Sequence, residues 1–431
     1  MQNQRGHAHV LVVTYPAQGH INPLLQFAKR LNSKGVKATV ATTPYTIDSI
    51  RVNSSIAVEL ISDGFDEGGF NQAPTLEAYL ESFKTAGSKT LAELIMKLNN
   101  SGTPVCCVAY DSLLSWALGV AKGFGIPAAI MLTNSATVCS FYWQINRGCL
   151  TLPVEQETLA APMPGLPSLD ISDLPSFLAQ PTNQSAYLAL ILDKLGTLDE
   201  NDWVFCNSFE ELESELLEAL AAEWPVVTIG PMVPSFYLDR RIEGDTSYGA
   251  SLWNHDNDQC LKWLDSKPLK SVVYVSFGSM ACISTDQLQE VACGLKASNM
   301  PFLWVAKEFK DHRLLELVDS IGEAGLIVTW CDQLEVLAHR AVGCFVTHCG
   351  WNSTLEGLSL GRCESEPRRR DRHEGGTRKC LTEVMIGERS GEIMGNASKW
   401  RELARRDVSA GGSSDKKIDE FIAKLQPNPQ V

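Results

Sequence analysis

The chain has 431 residues, of which 51 are acidic and 37 are Lys or Arg, so its formal net charge is −14. This length predicts two or three domains, and a hydrophobic content of 44% is enough to form large buried cores. The acidic balance argues against a nucleic-acid-binding protein, whose affinity depends on Lys and Arg that neutralise phosphates. It also argues against binding to an anionic membrane surface.

Targeting segments and metal-binding cysteines are not evident in the sequence. It shows no N-terminal apolar segment typical of a signal peptide and no apolar run of 18 residues. The 13 cysteines are odd in number, include no CxxC pair and often lie in apolar runs such as Val105–Val108. We therefore expect a cytoplasmic protein without a membrane span, with reduced thiols that pack as small hydrophobic side chains.

The first 45 residues have the pattern of a β-α-β unit. His9–Thr14 is a largely apolar run, typical of a strand buried on both faces of a parallel sheet. A turn over Tyr15–His20 follows, and Asn22 with Pro23 predicts that a helix begins there. Residues 36–42 form the next predicted strand, and this alternation predicts a doubly wound sheet.

His20 and Asp111 both lie at the carboxyl ends of predicted strands, because Val105–Tyr110 forms a further strand that ends at Asp111. Ligands bind at this edge of an open parallel sheet, so the two side chains are candidates to meet. A carboxylate on one ring nitrogen holds an imidazole in one tautomer, and the other nitrogen can then take a proton from a hydroxyl. The alternative is a helix-start histidine and a turn aspartate without a catalytic role.

The remaining chain has a long loop, a polar linker and a second β-α region. Residues 151–175 contain five prolines and are predicted to form a loop at the rim of the sheet, where pockets are often built. The polar stretch 235–258 is interpreted as an interdomain linker. The strands predicted after it are Ser271–Phe277, Phe302–Val305, Leu326–Trp330 and Cys344–Thr347. Ser284 and Gln287 predict a capped helix start. No GxGxxG motif occurs, which disfavours an NAD enzyme.

A polar segment at residues 347–354 joins a predicted strand to a helix start. It includes His348, Gly350, Asn352 and Ser353. Backbone N–H groups at a helix N-terminus suit phosphate oxygens, and glycine allows the backbone to come close. Glu356 could accept hydrogen bonds from ribose hydroxyls, and residues 277–279 offer a second phosphate contact. Trp330, at a strand end, is either a flat surface for a base or a core residue.

These motifs resemble the nucleotide-sugar box of the plant secondary-product UDP-glycosyltransferases, of glycosyltransferase family 1. The segments that carry the resemblance are Pro16–Pro23, Tyr110–Ser112, Cys260–Asp265, Ser271–Ser279, Trp330–Gln333, Val336–His339, His348–Glu356 and Gly411–Ser414. In that family, Pro16–Pro23 corresponds to the segment of the catalytic histidine and Tyr110–Ser112 to that of its aspartate partner. The resemblance covers residues 9–361 and 374–425.

The resemblance implies an α/β protein of the GT-B fold, in which two Rossmann-like doubly wound domains face each other across a cleft. The acceptor-binding domain would span residues 1–234, the linker 235–258 and the UDP-sugar-binding domain 259–431, with its last helix returning to the first domain. The implied activity is the inverting, metal-independent transfer of a sugar from a UDP-sugar, with glucose as the expected sugar. The acceptor would be a hydroxyl or carboxyl group of a small phenolic, carboxylic acid or terpenoid. A monomer without a cofactor is expected.

The resemblance also implies a role for each matching residue. His20 would be the general base, and Asp111 would balance the charge of the imidazolium. Trp330 and the Cys331 backbone would hold the uracil of the donor, and Gln333 and Glu356 would hold its ribose. The diphosphate would lie beside Gly350 and be held by Ser279, His348, Asn352 and Ser353. Trp351 would lie near the sugar. No metal is implied. Asp256–Asp258 mimics the metal motif of another glycosyltransferase fold, but it lies in the predicted linker.

The resemblance breaks at residues 362–373. The family continues there with a strand and a Pro-x-x-x-Asp-Gln segment, whose last two residues hold the sugar hydroxyls. This chain has five Arg in twelve residues, with Arg372 and His373 in the Asp-Gln register, and such a sequence cannot form a buried central strand. A shifted reading frame, a splice variant or a sequence error would produce this segment, and a functional basic loop is a further alternative. The alternative function is therefore a protein that binds UDP but transfers sugar weakly or not at all.

Overall fold

The computed structural model describes residues 8–51, 56–159, 163–179, 185–252, 257–279, 281, 283–306, 324–365 and 374–425. The chain divides into two compact units. The first unit comprises residues 1–252 and 406–431, and the second comprises residues 253–405. Each unit is built on a parallel β-sheet with helices between its strands, which is the α/β architecture that the sequence predicts.

A seven-stranded parallel sheet forms the centre of the first unit, with the strand order β3-β2-β1-β4-β5-β6-β7. Its strands are β1 His9–Val13, β2 Lys37–Thr42, β3 Ala57–Leu60, β4 Cys107–Asp111, β5 Ala128–Leu132, β6 Trp203–Cys206 and β7 Val226–Thr228. The chain adds strands on one side of β1 and then, from β4 onward, on the other side. Open α/β sheets bind ligands at the carboxyl ends of strands beside such a switch point, so a site is expected where β1 and β4 end.

Helices cover both faces of this sheet. They are α1 Gln18–Ser33, α2 Pro44–Ile47, α3 Leu76–Asn100, α4 Trp116–Gly123, α5 Ala136–Asn146, α6 Gln156–Leu159, α7 Ser176–Ala179, α8 Ser185–Gly196 and α9 Ser214–Leu220. Side chains of β1 alternate between two apolar cores, with Leu11 and Val13 in one core and Val10 and Val12 in the other. Burial on both faces explains why the strand is almost continuously apolar.

Helix α1 begins at Gln18, so the predicted start at Asn22 and Pro23 was wrong. An Asn-Pro pair is typical of a helix start, but here the hydrogen bonds begin one turn earlier. Ala17 is the N-cap, and the backbone N–H of His20 donates to its carbonyl at 2.9 Å. Pro23 lies in the second turn, where its fixed φ suits a helix and only its own N–H is missing. His20 therefore lies in the first helical turn.

The second unit contains a five-stranded parallel sheet with the order β10-β9-β8-β11-β12. Its strands are β8 Val272–Ser276, β9 Phe302–Val305, β10 Gly325–Val328, β11 Val342–Thr347 and β12 Cys363–Ser365. Strand β10 ends earlier than predicted, so Trp330 follows it by two residues. The order reverses between β8 and β11, so the carboxyl ends of these two strands mark the expected ligand position.

The helices of the second unit are α10 Asn257–Asp265, α11 Thr285–Ser298, α12 Gln333–Ala338, α13 Trp351–Ser359, α14 Glu374–Ile386 and α15 Ser390–Val408. The predicted cap of α11 is present, because the Ser284 side chain accepts from the backbone N–H of Gln287 at 3.3 Å. Helix α13 begins directly after the loop that follows β11. Its N-cap is Gly350, which has no side chain to cap the helix.

The basic segment at residues 362–373 is described only over its first four residues. Cys363–Ser365 forms β12, which lies at the edge of the sheet and pairs with β11. The Arg362 guanidinium donates to the backbone carbonyls of Leu337, His339 and Val342 at 2.5, 3.0 and 2.6 Å. Arg362 therefore satisfies carbonyl groups around the end of α12. Arg372 and His373 lie outside the described residues.

The final helix, α16 Ser413–Lys424, groups with the first unit. Phe421 packs against Phe27 and Phe205, with ring centroids 6.1 and 5.1 Å apart. Asp415 forms an ion pair with Lys34 at 2.6 Å. Residues 235–252 of the predicted linker also group with the first unit, so the boundary between the units falls after Leu252. The extent of the functional domains stays a prediction.

Among the helices that the structure describes, none is long and apolar enough to cross a bilayer. The eleven cysteines with described side chains form no disulfide with one another.

A buried carboxyl group at the end of α15 predicts pH-dependent stability. Asp407 is 1% exposed and accepts from the backbone N–H of Glu210 at 3.1 Å. Burial and the neighbouring Glu211 carboxyl raise the pKa of Asp407 from its ordinary value of 3.8 to about 7. The folded protein therefore binds more protons than the unfolded chain between about pH 4 and pH 7, and its stability falls as the pH rises through that range, by a few kcal/mol at most. Asp407→Asn should remove this fall, since an amide resembles the protonated carboxyl. Unfolding in urea at pH 5 and pH 8 measures it.

The matched control for this variant is Glu420→Gln, which removes an exposed carboxylate from α16. It should keep the wild-type difference in unfolding free energy between the two pH values. An equal difference in the wild type and Asp407→Asn would contradict the assignment.

Candidate active site

The structure brings His20 and Asp111 into direct contact. Nδ1 of His20 lies 2.8 Å from Oδ2 of Asp111, and the Asp111 side chain is fully buried. Because a carboxylate only accepts hydrogen bonds, Nδ1 carries the proton, and Nε2 is left with its lone pair. Oδ1 of Asp111 accepts from the backbone N–H of Leu113 at 2.8 Å, which fixes the carboxylate. The pair lies at the switch point of the first sheet, as predicted from the sequence.

Two further residues hold the imidazole of His20. Oγ1 of Thr133, just after β5, lies 3.2 Å from Nδ1. The ring of Tyr15 meets the imidazole edge-on, with centroids 5.4 Å apart. Burial raises the pKa of Tyr15 well above its usual range, so the phenol stays neutral. The side chain of His20 is 21% exposed, so the ring is oriented on one side and accessible on the other.

A cavity of about 600 Å³ lies next to Tyr15, the residue whose ring contacts His20. Its walls come from α3, α4 and α8, and it reaches Tyr15, which contacts His20. Its apolar lining includes Leu80, Phe83, Leu114 and Trp116. This volume falls within the range of small-molecule pockets. The sequence pattern does not mark these helices as cavity walls, because their apolar residues have ordinary helical spacing.

The second candidate site lies at the switch point of the other sheet. The imidazole of His348 lies between two glycine backbones. A Cβ atom on Gly278 would lie 2.6 Å from Cε1 of His348, and one on Gly350 would lie 2.4 Å from Nε2. Both glycines are thus required for close packing around this ring. Partial burial lowers the pKa of His348, so the imidazole is neutral at pH 7 and can donate one N–H.

The residues predicted to hold a ribose also meet. Nε2 of Gln333 donates to Oε2 of Glu356 at 2.7 Å and to Oγ of Ser353 at 3.1 Å. The Tyr274 hydroxyl donates to Oε1 of Gln333 at 3.3 Å, which fixes the amide orientation. Glu356 is 4% exposed, and its carboxylate retains further acceptor capacity for hydroxyl groups.

The other predicted donor residues lie on the same edge of the second sheet. Ser279 follows β8, whereas Trp351 and Asn352 open α13. Cys331 is buried, with its Sγ 3.5 Å from the Tyr274 hydroxyl. Trp330 is half-buried and so does not belong to the fully buried core. The sequence did not identify Tyr274, because its role depends on a neighbouring strand.

The family model described as UDP-glucoronosyl and UDP-glucosyl transferase matches residues 246–362. The chain is 41% identical to UDP-glycosyltransferase 74F2 of Arabidopsis thaliana, over 99% of this chain and 100% of that protein. It is 40% identical to flavonol 7-O-beta-glucosyltransferase UGT74F1 of the same plant, with the same coverage. The chain belongs to the plant UDP-glycosyltransferases. This UDP-glycosyltransferase also matches the crystal structure of Os79 from O. sativa in complex with UDP, with a TM-score of 0.90 and 35% identity over 96% of this chain and 100% of that one. The fold is therefore GT-B.

The match to the family model stops where the basic segment of this UDP-glycosyltransferase begins. The family-model match ends at Arg362, the residue where the sequence analysis places the break. The alignment with the first Arabidopsis relative has 462 positions, 31 more than the 431 residues of this chain, so at least 31 of its positions are gaps here.

No three His, Cys, Asp or Glu side chains converge as a candidate metal site within the part of the chain that the structure describes. Asn257 and Asp258 of the sequence that mimics a metal motif lie in α10, and Asp256 lies outside the described residues.

Proposed function

We propose that this UDP-glycosyltransferase transfers a sugar from a UDP-sugar to a small acceptor by a single inverting displacement, with glucose as the main sugar. The contact between His20 and Asp111 carries this proposal, because it leaves Nε2 of an oriented imidazole ready to accept a proton. Nε2 takes the proton of the acceptor hydroxyl as the oxygen attacks the anomeric carbon. Asp111 then balances the charge of the imidazolium, and UDP leaves.

The second unit supplies the proposed donor site. Trp330 stacks on the uracil, and the Cys331 backbone pairs with its edge. Gln333 and Glu356 hold the ribose, and the 2.7 Å bond between them orients the carboxylate. The diphosphate is bound by Ser279, His348, Asn352 and Ser353, with Gly350 allowing the backbone to come close and Trp351 lying near the sugar. A neutral His348 donates its N–H to a phosphate oxygen as negative charge develops on UDP.

The experiment is an assay of the purified chain with UDP-glucose and a phenol, followed by mass spectrometry. Equal amounts of UDP and glucoside are expected, and both should require the phenol. UDP release without glucoside would contradict the transfer reaction.

A second candidate function is UDP binding with weak or no sugar transfer. The end of the family-model match at Arg362 favours it, because the sugar-holding Asp-Gln pair of the family would follow that residue. UDP binding in calorimetry together with no detectable glucoside would support this function. A monomeric state and a cytoplasmic location remain predictions from the sequence.

We also predict that chelation with EDTA leaves the transfer rate nearly unchanged. The N-terminus of α13 and the His348 N–H supply the electrostatic stabilisation of the diphosphate that a metal would otherwise provide. The measurement is the initial rate with EDTA and with EDTA saturated by Mg²⁺ or Mn²⁺. A strict requirement for either ion would contradict the proposed donor site.

A further inference from the structure

We propose, resting on the function above, that the acceptor is a neutral aromatic hydroxyl compound and that carboxylates are selected against. The chain would therefore form ether-type glucosides in preference to glucose esters. The cavity next to Tyr15, the charges that line it and the composition of residues 148–193 support this inference.

The inner end of the cavity is aromatic. Tyr15 contacts His20, and its ring lies 6.2 Å from the ring of Phe83. Phe83 in turn packs against Trp116 at 5.5 Å. All three residues line the cavity. Aromatic side chains favour a flat apolar ligand by stacking and by burial of its surface, so a ring compound can lie with its reactive oxygen toward His20.

The ionisable side chains of the cavity are mainly acidic. Glu77, Glu81, Asp193 and Glu200 line it, together with Lys84 and Lys122. Lys122 is bound to Glu200 at 2.6 Å, so these two charges balance. The remaining lining groups are three carboxylates and one lysine. A negatively charged acceptor therefore enters a field of its own sign.

A buried ammonium group close to Asp111 does not line the cavity. Lys194 is 2% exposed, and its Nζ donates to Oγ of Ser112 at 3.1 Å. Asp193, its neighbour in the chain, lines the cavity, whereas Lys194 does not. Lys194 therefore adds no cation to the cavity wall.

A stretch of sequence that ends in the cavity wall at Asp193 shows the same bias. Residues 148–193 contain no Lys, Arg or His, and their acidic residues are Glu155, Glu157, Asp170, Asp173 and Asp193. This stretch includes the proline-rich loop and most of α8, the helix that forms one cavity wall. The first unit thus offers no cation from this stretch to an acceptor.

These observations predict the acceptor class. A carboxylate that enters the cavity loses hydration, and the lining offers it one lysine, Lys84, against three carboxylates. It also approaches the buried Asp111 carboxylate, and like charges repel strongly in a low-dielectric site. A neutral phenol avoids both costs. Moreover, only a hydroxyl needs the proton acceptor that His20 and Asp111 form, because a carboxylate is already ionised.

The experiment compares 4-hydroxybenzoate with its methyl ester, which differ in charge but share the ring and the phenol. Binding is measured by calorimetry and turnover with UDP-glucose by mass spectrometry. We expect the methyl ester to be favoured by about 10- to 100-fold in affinity and in kcat/KM. The product should be an alkali-stable phenol glucoside. Equal or tighter binding of the carboxylate, or an alkali-labile ester as main product, would overturn the inference. Calorimetry tests the preference between the two acceptors even if the wild type shows no turnover. A lack of turnover would count against the proposed function instead.

A charge-reversal variant tests the cause of the preference. Glu81→Lys adds a cation to the cavity lining and should narrow the preference for the methyl ester several-fold, mainly through tighter binding of the carboxylate. Glu93→Lys is the matched control, because Glu93 is exposed on the same helix but about 18 Å further along its axis and outside the cavity lining. Equal effects of the two variants would show that the lining charges do not select the acceptor.

Discussion

Replacement of His20 by alanine should lower sugar transfer to a phenol by roughly 10²- to 10⁴-fold, the usual contribution of a general base. The affinity for UDP should stay the same, because His20 belongs to the first unit and the proposed donor residues belong to the second. Single-turnover assays at high enzyme concentration measure the rate, and calorimetry measures the UDP affinity. Near-normal turnover of the phenol would contradict the role of His20.

Asp111→Asn provides the graded comparison. The amide keeps the shape of the side chain but cannot balance the charge of the imidazolium. Because orientation and charge balance support the base without replacing it, the loss of rate should be smaller than for His20→Ala. A larger loss for Asp111→Asn would contradict the supporting role assigned to Asp111.

The second large effect concerns residues 362–373. Replacing them with a family-like segment that ends in Asp-Gln, and restoring the missing length, should leave UDP affinity nearly unchanged. Turnover of UDP-glucose should rise, because Arg372 and His373 as cations cannot accept hydrogen bonds from sugar hydroxyls. Two recovered hydrogen bonds of about 0.5–3 kcal/mol each correspond to roughly 10- to 10⁴-fold. The melting temperature should also rise, since a longer strand would pair with β11 beyond the three residues of β12.

The matched control carries the same segment with Ala-Ala in place of Asp-Gln. It should recover the melting temperature but not the turnover. Equal turnover in the wild type and the repaired chain would show that the basic segment is a working part of this enzyme. Equal turnover in the repaired chain and its Ala-Ala control would show that the Asp-Gln pair does not hold the sugar.

The sheets were predictable from the sequence because strands buried on both faces leave long apolar runs. The approach of His20 to Asp111 was predictable for the same reason, since parallel strands share one carboxyl edge. The start of α1 was not predictable from its residues, because Asn22 and Pro23 form a common start signal and the helix instead begins at backbone hydrogen bonds to Ala17.

Other contacts between residues far apart in the sequence could not be predicted from one sequence. Thr133 approaches His20 only because β5 follows β4 in the sheet. Gly278 faces His348 only because β8 lies beside β11. The fold likewise brings the carbonyl groups of Leu337, His339 and Val342 to Arg362. The first residue of the basic segment therefore has a structural role.

The configuration of the product tests the central claim most directly. UDP-glucose carries its sugar in the α configuration, and the proposed mechanism uses one base, His20, for one direct displacement. The chain is incubated with UDP-[1-¹³C]glucose and methyl 4-hydroxybenzoate, and the anomeric carbon is followed by NMR. A β-configured phenol glucoside that forms together with UDP is the expected product. An α-glucoside, or free glucose without any glucoside, would contradict the proposed mechanism.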